Sequence, residues 1–193
     1  MSSPLEKRLT KEMQQLANEP PCGVRLGQEA TSSLKTWLVE VDGASGTLYE
    51  GEHFSLRFTF SDQYPFTSPE VVFIGDNIPV HPHVYSNGHI CLSILTEDWT
   101  PALSVQSVCL SIVSMLSSCK EKKRPPDNAI YVRTCSKNPK KTRWWFHEET
   151  DQTGSQGRTN DQHVHGDVTA ESTVFRKMTA GVDVFSALAE RSV

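Results

Sequence analysis

The sequence predicts an α+β fold, and three observations predict it. A capped apolar stripe with helical spacing opens the chain at residues 3–17. Short strand-like runs then follow one another between residues 23 and 74, separated by Gly-containing turns. A second helical stripe begins at Ser104, after a long stretch with little periodicity. One helix, then consecutive strands, then helices is the order of an α+β domain built on an antiparallel meander.

Each element has a local cause. Ser3 is a candidate N-cap, Pro4 suits the first helical position, and Glu6 completes a capping box. Leu5, Leu9, Met13 and Leu16 share one face, so 4–17 reads as an amphipathic helix that Pro20-Pro21 ends. Strands are expected at 23–26, at the β-branched run 34–41 and at 70–74. A further strand is expected at 54–60, where Phe54, Leu56, Phe58 and Phe60 alternate with polar neighbours. Asp42-Gly43 and Ser45-Gly46 supply turns. From 75 to 101 periodicity is lost, and an irregular segment of that length in a compact domain is usually functional. Ser104 caps a helix whose inner face is Val105, Val108, Cys109, Ile112, Met115 and Leu116. Pro125-Pro126 breaks the chain, and Asp127 or Asn128 caps a short last helix to about Cys135.

Composition bounds the rest. The 193 residues suit one domain, expected over 1–150, and a tail. The tail, 151–193, is polar and then scattered in its apolar residues, and reads as disordered or weakly helical. A net charge of -4 creates no field that calls for nucleic acid, and no apolar run is long enough to span a membrane. Nothing at the N-terminus resembles a signal peptide. The five cysteines are an odd number without a Cys-x-x-Cys pair, which argues against a disulfide scaffold or a zinc ribbon and fits a reducing compartment. The basic runs at 120–124 and 137–143 suit nuclear import or acidic partners, although a short basic run is ordinarily a solvated loop. The expected location is nucleus and cytoplasm.

The chemistry concentrates in His81-Pro82-His83-Val84-Tyr85-Ser86-Asn87-Gly88-His89-Ile90-Cys91-Leu92-Ser93-Ile94-Leu95. Cys91 follows a Gly turn, has histidines close behind it, and precedes Trp99-Thr100-Pro101-Ala102-Leu103. A thiolate attacks carbonyls and carries acyl groups, whereas a free cysteine is more often a small buried hydrophobe. His81 is expected to brace the loop through hydrogen bonds. His89 is expected to be a solvated loop residue, and Trp99 to pack under the active loop.

This segment resembles the active-site signature of ubiquitin-conjugating enzymes: His-Pro-Asn, a short loop, Gly-x-Ile-Cys-Leu, then Trp-x-Pro-Ala. Every element is present in order, except that His83 stands where the family has Asn. Gly46-Thr47-Leu48-Tyr49-Glu50-Gly51 and Tyr64-Pro65-Phe66-Thr67-Ser68-Pro69 resemble two further landmarks, and the likeness covers residues 1 to about 136. His83, Ser93 and the ending Trp144-Trp145-Phe146-His147-Glu148-Glu149-Thr150 are similar to the W-type branch, which is associated with attaching ubiquitin to protein α-amino groups.

The resemblance implies a ubiquitin-conjugating fold, with Cys91 receiving ubiquitin as a thioester from the activating enzyme. ATP is consumed by that upstream enzyme, so no resident cofactor or metal is expected. It implies RING or U-box ligases as partners and proteins with accessible N-termini as substrates. His83 would support the loop or donate one N–H to the oxyanion, in one tautomer only. Near a reference pKa of about 6.5 it would also gain charge in acid. Lys7, Arg8 and Lys11 match the surface that meets the activating enzyme and ligases, and Phe66, Pro101 and Ala102 match the ligase-docking loops. Lysine-active members carry an Asp two residues after the cysteine and another acidic residue beyond the following helix. Here these regions read Ser93 and Cys119-Lys120-Glu121-Lys122-Lys123-Arg124, which implies a preference for the α-amine. Glu97, Asp98, Glu121 and Asp127 are candidate substitutes, so an ordinary lysine-directed enzyme remains an alternative. So do a non-catalytic ubiquitin or ligase binder and an unrelated Cys-His hydrolase; the presence of Cys91 speaks against the first, and the lack of a recognisable oxyanion motif around it against the second.

Overall fold

The structure, a computed structural model, describes residues 2–27 and 33–141. The expected tail and the aromatic segment 144–150 lie outside the described residues. Helix α1, Pro4–Asn18, begins as the sequence requires: the Ser3 hydroxyl accepts from the Glu6 N–H at 3.1 Å, and the Glu6 carboxylate accepts from the Ser3 N–H at 2.7 Å. The reciprocal pair satisfies two otherwise orphaned donors. Leu9 and Leu16 are buried, and Leu5 and Met13 pack beside the core.

Four strands form one antiparallel sheet in sequence order: β1 Val24–Leu26, β2 Thr36–Asp42, β3 His53–Thr59 and β4 Glu70–Ile74. β2 and β3 bury alternate residues, so Trp37, Val39 and Val41 lie inward opposite Phe58, Leu56 and Phe54. The expected meander is therefore present, with small shifts of boundary. β2 starts two residues later than expected, because Thr36 N–H closes a turn on the Ser33 carbonyl. β3 ends at Thr59, yet Phe60 stays buried and its N–H goes to the Lys35 carbonyl at 2.9 Å.

Helix α2, Val105–Ser117, puts its expected face of Val105, Val108, Cys109, Ile112, Met115 and Leu116 into the same core as α1 and the sheet. Each fully buried Val, Ile or Leu there contributes about 1.5–3 kcal/mol relative to exposure. Helix α3, Asn128–Thr134, closes the described domain and is followed by a 3₁₀ turn, Pro139–Lys141. Asp127 is the N-cap by position but gives no capping bond; its carboxylate is used elsewhere.

The irregular segment between β4 and α2 hangs on the sheet at one place. Phe73 N–H donates to the Gly88 carbonyl at 2.9 Å, and Val72 bridges His89. Gly88 has φ +86°, and a Cβ there would stand 2.0 Å from the Phe73 carbonyl oxygen. Only glycine allows that approach.

Candidate active site

Two short hydrogen bonds place Cys91. His83 N–H donates to His81 Nδ1 at 2.9 Å, and Cys91 N–H donates to the His83 carbonyl at 2.8 Å. The backbone of His83 thus lies beside that of Cys91, which brings together the two residues the sequence nominated. The His83 ring is exposed and meets the His81 ring edge-on, with centroids 5.3 Å apart. His81 braces the loop as expected: it is buried, and its Nε2 faces the Met115 carbonyl of α2 at 3.1 Å. With Nδ1 accepting from His83, the ring proton is assigned to Nε2. Burial, with the nearby His83, holds the His81 pKa down to about 4, so the brace is neutral at pH 7.

A second support was not legible. In the basic run 120–124, Arg124 turns inward and donates to the carbonyls of Pro79 at 2.7 Å, Ile78 at 3.0 Å and Val84 at 3.2 Å. Lys122 pairs with Glu52, and Lys123 with Glu121 at 3.1 Å. The run therefore includes a clamp on the back of the active loop, which no local sequence signal announces.

Helix α3 staples the same loop from the other side. The Tyr85 hydroxyl donates to Asp127 at 3.2 Å, and its ring stacks on Tyr131 with centroids 3.6 Å apart. Ser86 N–H donates to Asn128 Oδ1 at 2.8 Å. His89, expected in solvent, is buried at 5 % exposure. Its Nδ1 meets the Tyr131 hydroxyl at 3.0 Å and the ring is also hydrogen-bonded to the Lys137 backbone. The correction has a physical reason: the partners are 42 and 48 residues away in sequence, beyond any local pattern. Burial lowers the His89 pKa.

Cys91 itself is a free, half-buried thiol. Burial pushes its pKa up to about 11, and the Glu97 and Asp127 carboxylates push the same way. At pH 7 the thiolate fraction is about one in ten thousand at such a pKa. Of the four candidate carboxylates, Glu97 and Asp127 therefore act on the thiol, whereas Glu121 is committed to Lys123. Cys109 is buried, Cys22 is exposed, and Cys119 and Cys135 are half-buried. Among the described residues no group of His, Cys, Asp and Glu could hold a metal ion, and no helix is long and apolar enough to cross a membrane.

The remaining nominated residues lie on α1 and on the two loops beside it. Phe66 is 80 % exposed, and Pro101, Ala102, Lys7 and Lys11 are exposed. Arg8 behaves differently: it pairs with Glu12 and donates to the Leu103 carbonyl at 2.8 Å. Trp99 packs against Tyr64, and its Nε1–H donates to the Pro65 carbonyl at 2.8 Å. That bond ties the two nominated docking loops together. Sequence reasoning missed Glu12, although its place between Leu9 and Leu16 on the apolar face of α1 was a signal.

A family model described as ubiquitin-conjugating enzyme matches residues 8–147. This chain belongs to the ubiquitin-conjugating enzyme family. It is 66% identical over 147 residues to a probable ubiquitin-conjugating enzyme E2 W-A of Danio rerio, covering 76% of this chain and 97% of that one. It is 66% identical over 151 residues to the ubiquitin-conjugating enzyme E2 W of Caenorhabditis elegans, covering 78% of this chain and 99% of the other. Among solved structures, the crystal structure of ubiquitin-conjugating enzyme E2 UbcA1 from Agrocybe aegerita matches with a TM-score of 0.68 at 47% identity, over 72% of this chain and 100% of that one. The W-type resemblance and the α+β ubiquitin-conjugating fold are thus both borne out, and this ubiquitin-conjugating enzyme is a transferase.

Proposed function

We propose that Cys91 carries ubiquitin as a thioester and delivers it, with a ligase, preferentially to the α-amino group of substrate N-termini. In charging, the Cys91 sulfur attacks the glycyl carbonyl of ubiquitin on the activating enzyme. The new carbon–sulfur bond replaces the old one, and the activating enzyme's thiol leaves with the proton. ATP is consumed in that upstream step, and this chain contributes no cofactor. In discharge the substrate amine attacks the same carbonyl, Cys91 leaves as the thiol, and the amine proton passes to solvent or a nearby carboxylate. His83 donates to the oxyanion or holds the loop that does. Lys7, Lys11, Phe66, Pro101 and Ala102 meet the activating enzyme and the ligase, with Arg8 holding the loop behind them. The catalytic domain spans 1–150 and is followed by the tail 151–193, and the protein works in nucleus and cytoplasm.

The observation that carries the preference is the residue two places after Cys91. Ser93 cannot take a proton from a lysine ammonium, and in the basic run beyond α2 Lys122 is paired with Glu52, Lys123 with Glu121 and Arg124 with loop carbonyls. An α-amine with a pKa of about 7.7 to 8.0 needs little help at neutral pH, whereas a lysine near 10.4 needs a base. One observation favours the second reading, lysine transfer: Glu97 and Asp127 both act on the Cys91 thiol.

The test is discharge of the ubiquitin-charged chain to two peptides, one with a free α-amine and no lysine, the other with a lysine and an acetylated N-terminus. Consumption of the first alone is expected. Transfer to the acetylated lysine peptide would make this an ordinary lysine-directed enzyme, and no charging in wild type would remove the carrier role of Cys91.

A further inference from the structure

Glu12 is a carboxylate in the wrong place for a surface helix. Its side chain is 6 % exposed, on the face of α1 that otherwise buries Leu9 and Leu16. Three donors from three elements converge on it. Arg8 Nε pairs with Oε1 from within α1. The Tyr64 hydroxyl donates to the same oxygen at 2.7 Å, and the Val105 N–H at the start of α2 donates to Oε2 at 2.8 Å. Arg8 then extends the network by donating to the Leu103 carbonyl at 2.8 Å.

The neighbours of these donors are the exposed docking candidates. Tyr64 is two residues from Phe66, Leu103 follows Ala102 directly, and Arg8 follows Lys7. The Tyr64 ring packs on Trp99, whose indole N–H holds the Pro65 carbonyl, so the Phe66 loop and the 99–103 segment share a floor as well as an anion. Side chains tie both loops to α1: Glu12 takes the Tyr64 hydroxyl beside one loop and the Val105 N–H just beyond the other, and its partner Arg8 takes the Leu103 carbonyl while lying 5.9 Å from the Tyr64 ring centre.

We propose that Glu12 is a positioning residue for partner docking: it holds α1, the Phe66 loop and the Pro101-Ala102 loop in one mutual register, and it touches neither the partner nor the reacting thioester. The inference rests on the reading of Phe66, Pro101 and Ala102 as a ligase surface, and goes beyond it by naming what makes three separate pieces act as one. A partner that inserts Phe66 into an apolar pocket while also contacting Pro101 and Ala102 gains from that register, because loops that must be ordered at the moment of binding weaken the complex.

The experiment uses the full chain charged with ubiquitin, a peptide with a free α-amine, and a RING-domain ligase titrated from zero to saturation. Three readouts are taken: the ligase-free discharge rate, the ligase concentration at half-maximal stimulation and the saturated rate. Glu12→Gln keeps the shape and loses the charge. It is expected to raise the half-maximal concentration about fivefold to tenfold. The ligase-free and saturated rates should stay within about twofold of wild type. Tyr64→Phe removes a single donor and keeps the fold if Glu12→Gln does not; it should raise the same constant by less, and the double variant by less than the product of the two.

Two controls separate the possible failures. Val39→Ala, in the sheet core away from the hub, reports what lost stability alone does. If Glu12→Gln and Val39→Ala depress the ligase-free rate and the melting temperature in parallel, with no separate change in the half-maximal concentration, Glu12 is merely structural and the inference is overturned. Phe66→Ala tests the surface itself. A normal half-maximal concentration in Phe66→Ala sinks the docking reading, whereas a raised one in Phe66→Ala with a normal one in Glu12→Gln sinks the positioning role alone.

Discussion

Two irregular regions of this enzyme are each organised by one buried ionisable side chain, and the two do it by opposite chemistry. On the inner face of α1, Glu12 collects donors: a guanidinium, a phenol and a backbone amide. Beneath Cys91, His81 offers one nitrogen to a carbonyl and the other to an amide. A carboxylate can only accept, so it suits a place where several donors converge, such as the open N-terminus of α2. A neutral imidazole both donates and accepts, so it suits a loop whose backbone presents one of each. The first junction works through charge and the second through neutrality.

Removing the hubs should expose that difference. Glu12→Ala takes the acceptor from the Val105 amide and the Tyr64 hydroxyl and the ion-pair partner from Arg8, and is expected to cost about 3–5 kcal/mol, read as a lower urea midpoint with an unchanged slope. A loss below about 1 kcal/mol would mean that water replaces the carboxylate readily. His81→Ala removes one of the two donors on the Met115 carbonyl, takes the acceptor from the His83 N–H and opens a cavity, and should cost about 2–4 kcal/mol.

Acid should act on the second hub with a definite sign. The His81 pKa is near 4 in the folded protein, against 6.5 for an unperturbed group. Above pH 6.5 neither state binds the proton. Between about 6.5 and 4 the unfolded chain binds it and the folded chain does not, so stability falls as pH falls, by up to about 3 kcal/mol, with no further loss from this group below pH 4. His89, also lowered, adds to the same trend. Urea titrations at several pH values check the slope, and an equal slope in His81→Gln would assign it to other groups. The His81 ring resonances should show no titration above pH 5.

Arg124→Met keeps much of the stem and drops the clamp on Ile78, Pro79 and Val84; it should cost about 1–3 kcal/mol and speed hydrogen exchange at the amides of 78–85. The smallest effect expected is electrostatic. Glu97→Gln with Asp127→Asn removes the charges that push the Cys91 thiol up, so alkylation of Cys91 at pH 8 should quicken while the melting temperature moves little. An unchanged rate would leave burial as the sole cause.

Much of this was legible in the sequence, and the exceptions share a cause. β4 and the capping box of α1 fall where the sequence puts them, and α2 buries the six residues its spacing selects. Those features are decided by residues within one or two turns of each other. Cys91 was legible as the thiol of interest, but the rise in its pKa was not, because Asp127 is brought to it by α3. Asp127 was read as a helix cap and instead takes the Tyr85 hydroxyl. His89 and Arg124 were read as solvated because their partners lie in other elements. Glu12 was the intermediate case, with its burial readable from the stripe and its three donors not.

The loop that bears Cys91 also finishes the sheet. β4 is an outer strand, and the Gly88 carbonyl takes the Phe73 N–H while His89 bridges Val72. An uncovered outer strand invites pairing with another chain. The opposite border, β1, is three residues long and carries Arg25 in a pair with Glu40, so it offers little to pair with. The loop that bears Cys91 therefore also covers part of the open edge of β4. A change such as Gly88→Ala, which forces the loop off Phe73, would bare that edge, and the variant is expected to self-associate more readily than wild type, read as light scattering on warming.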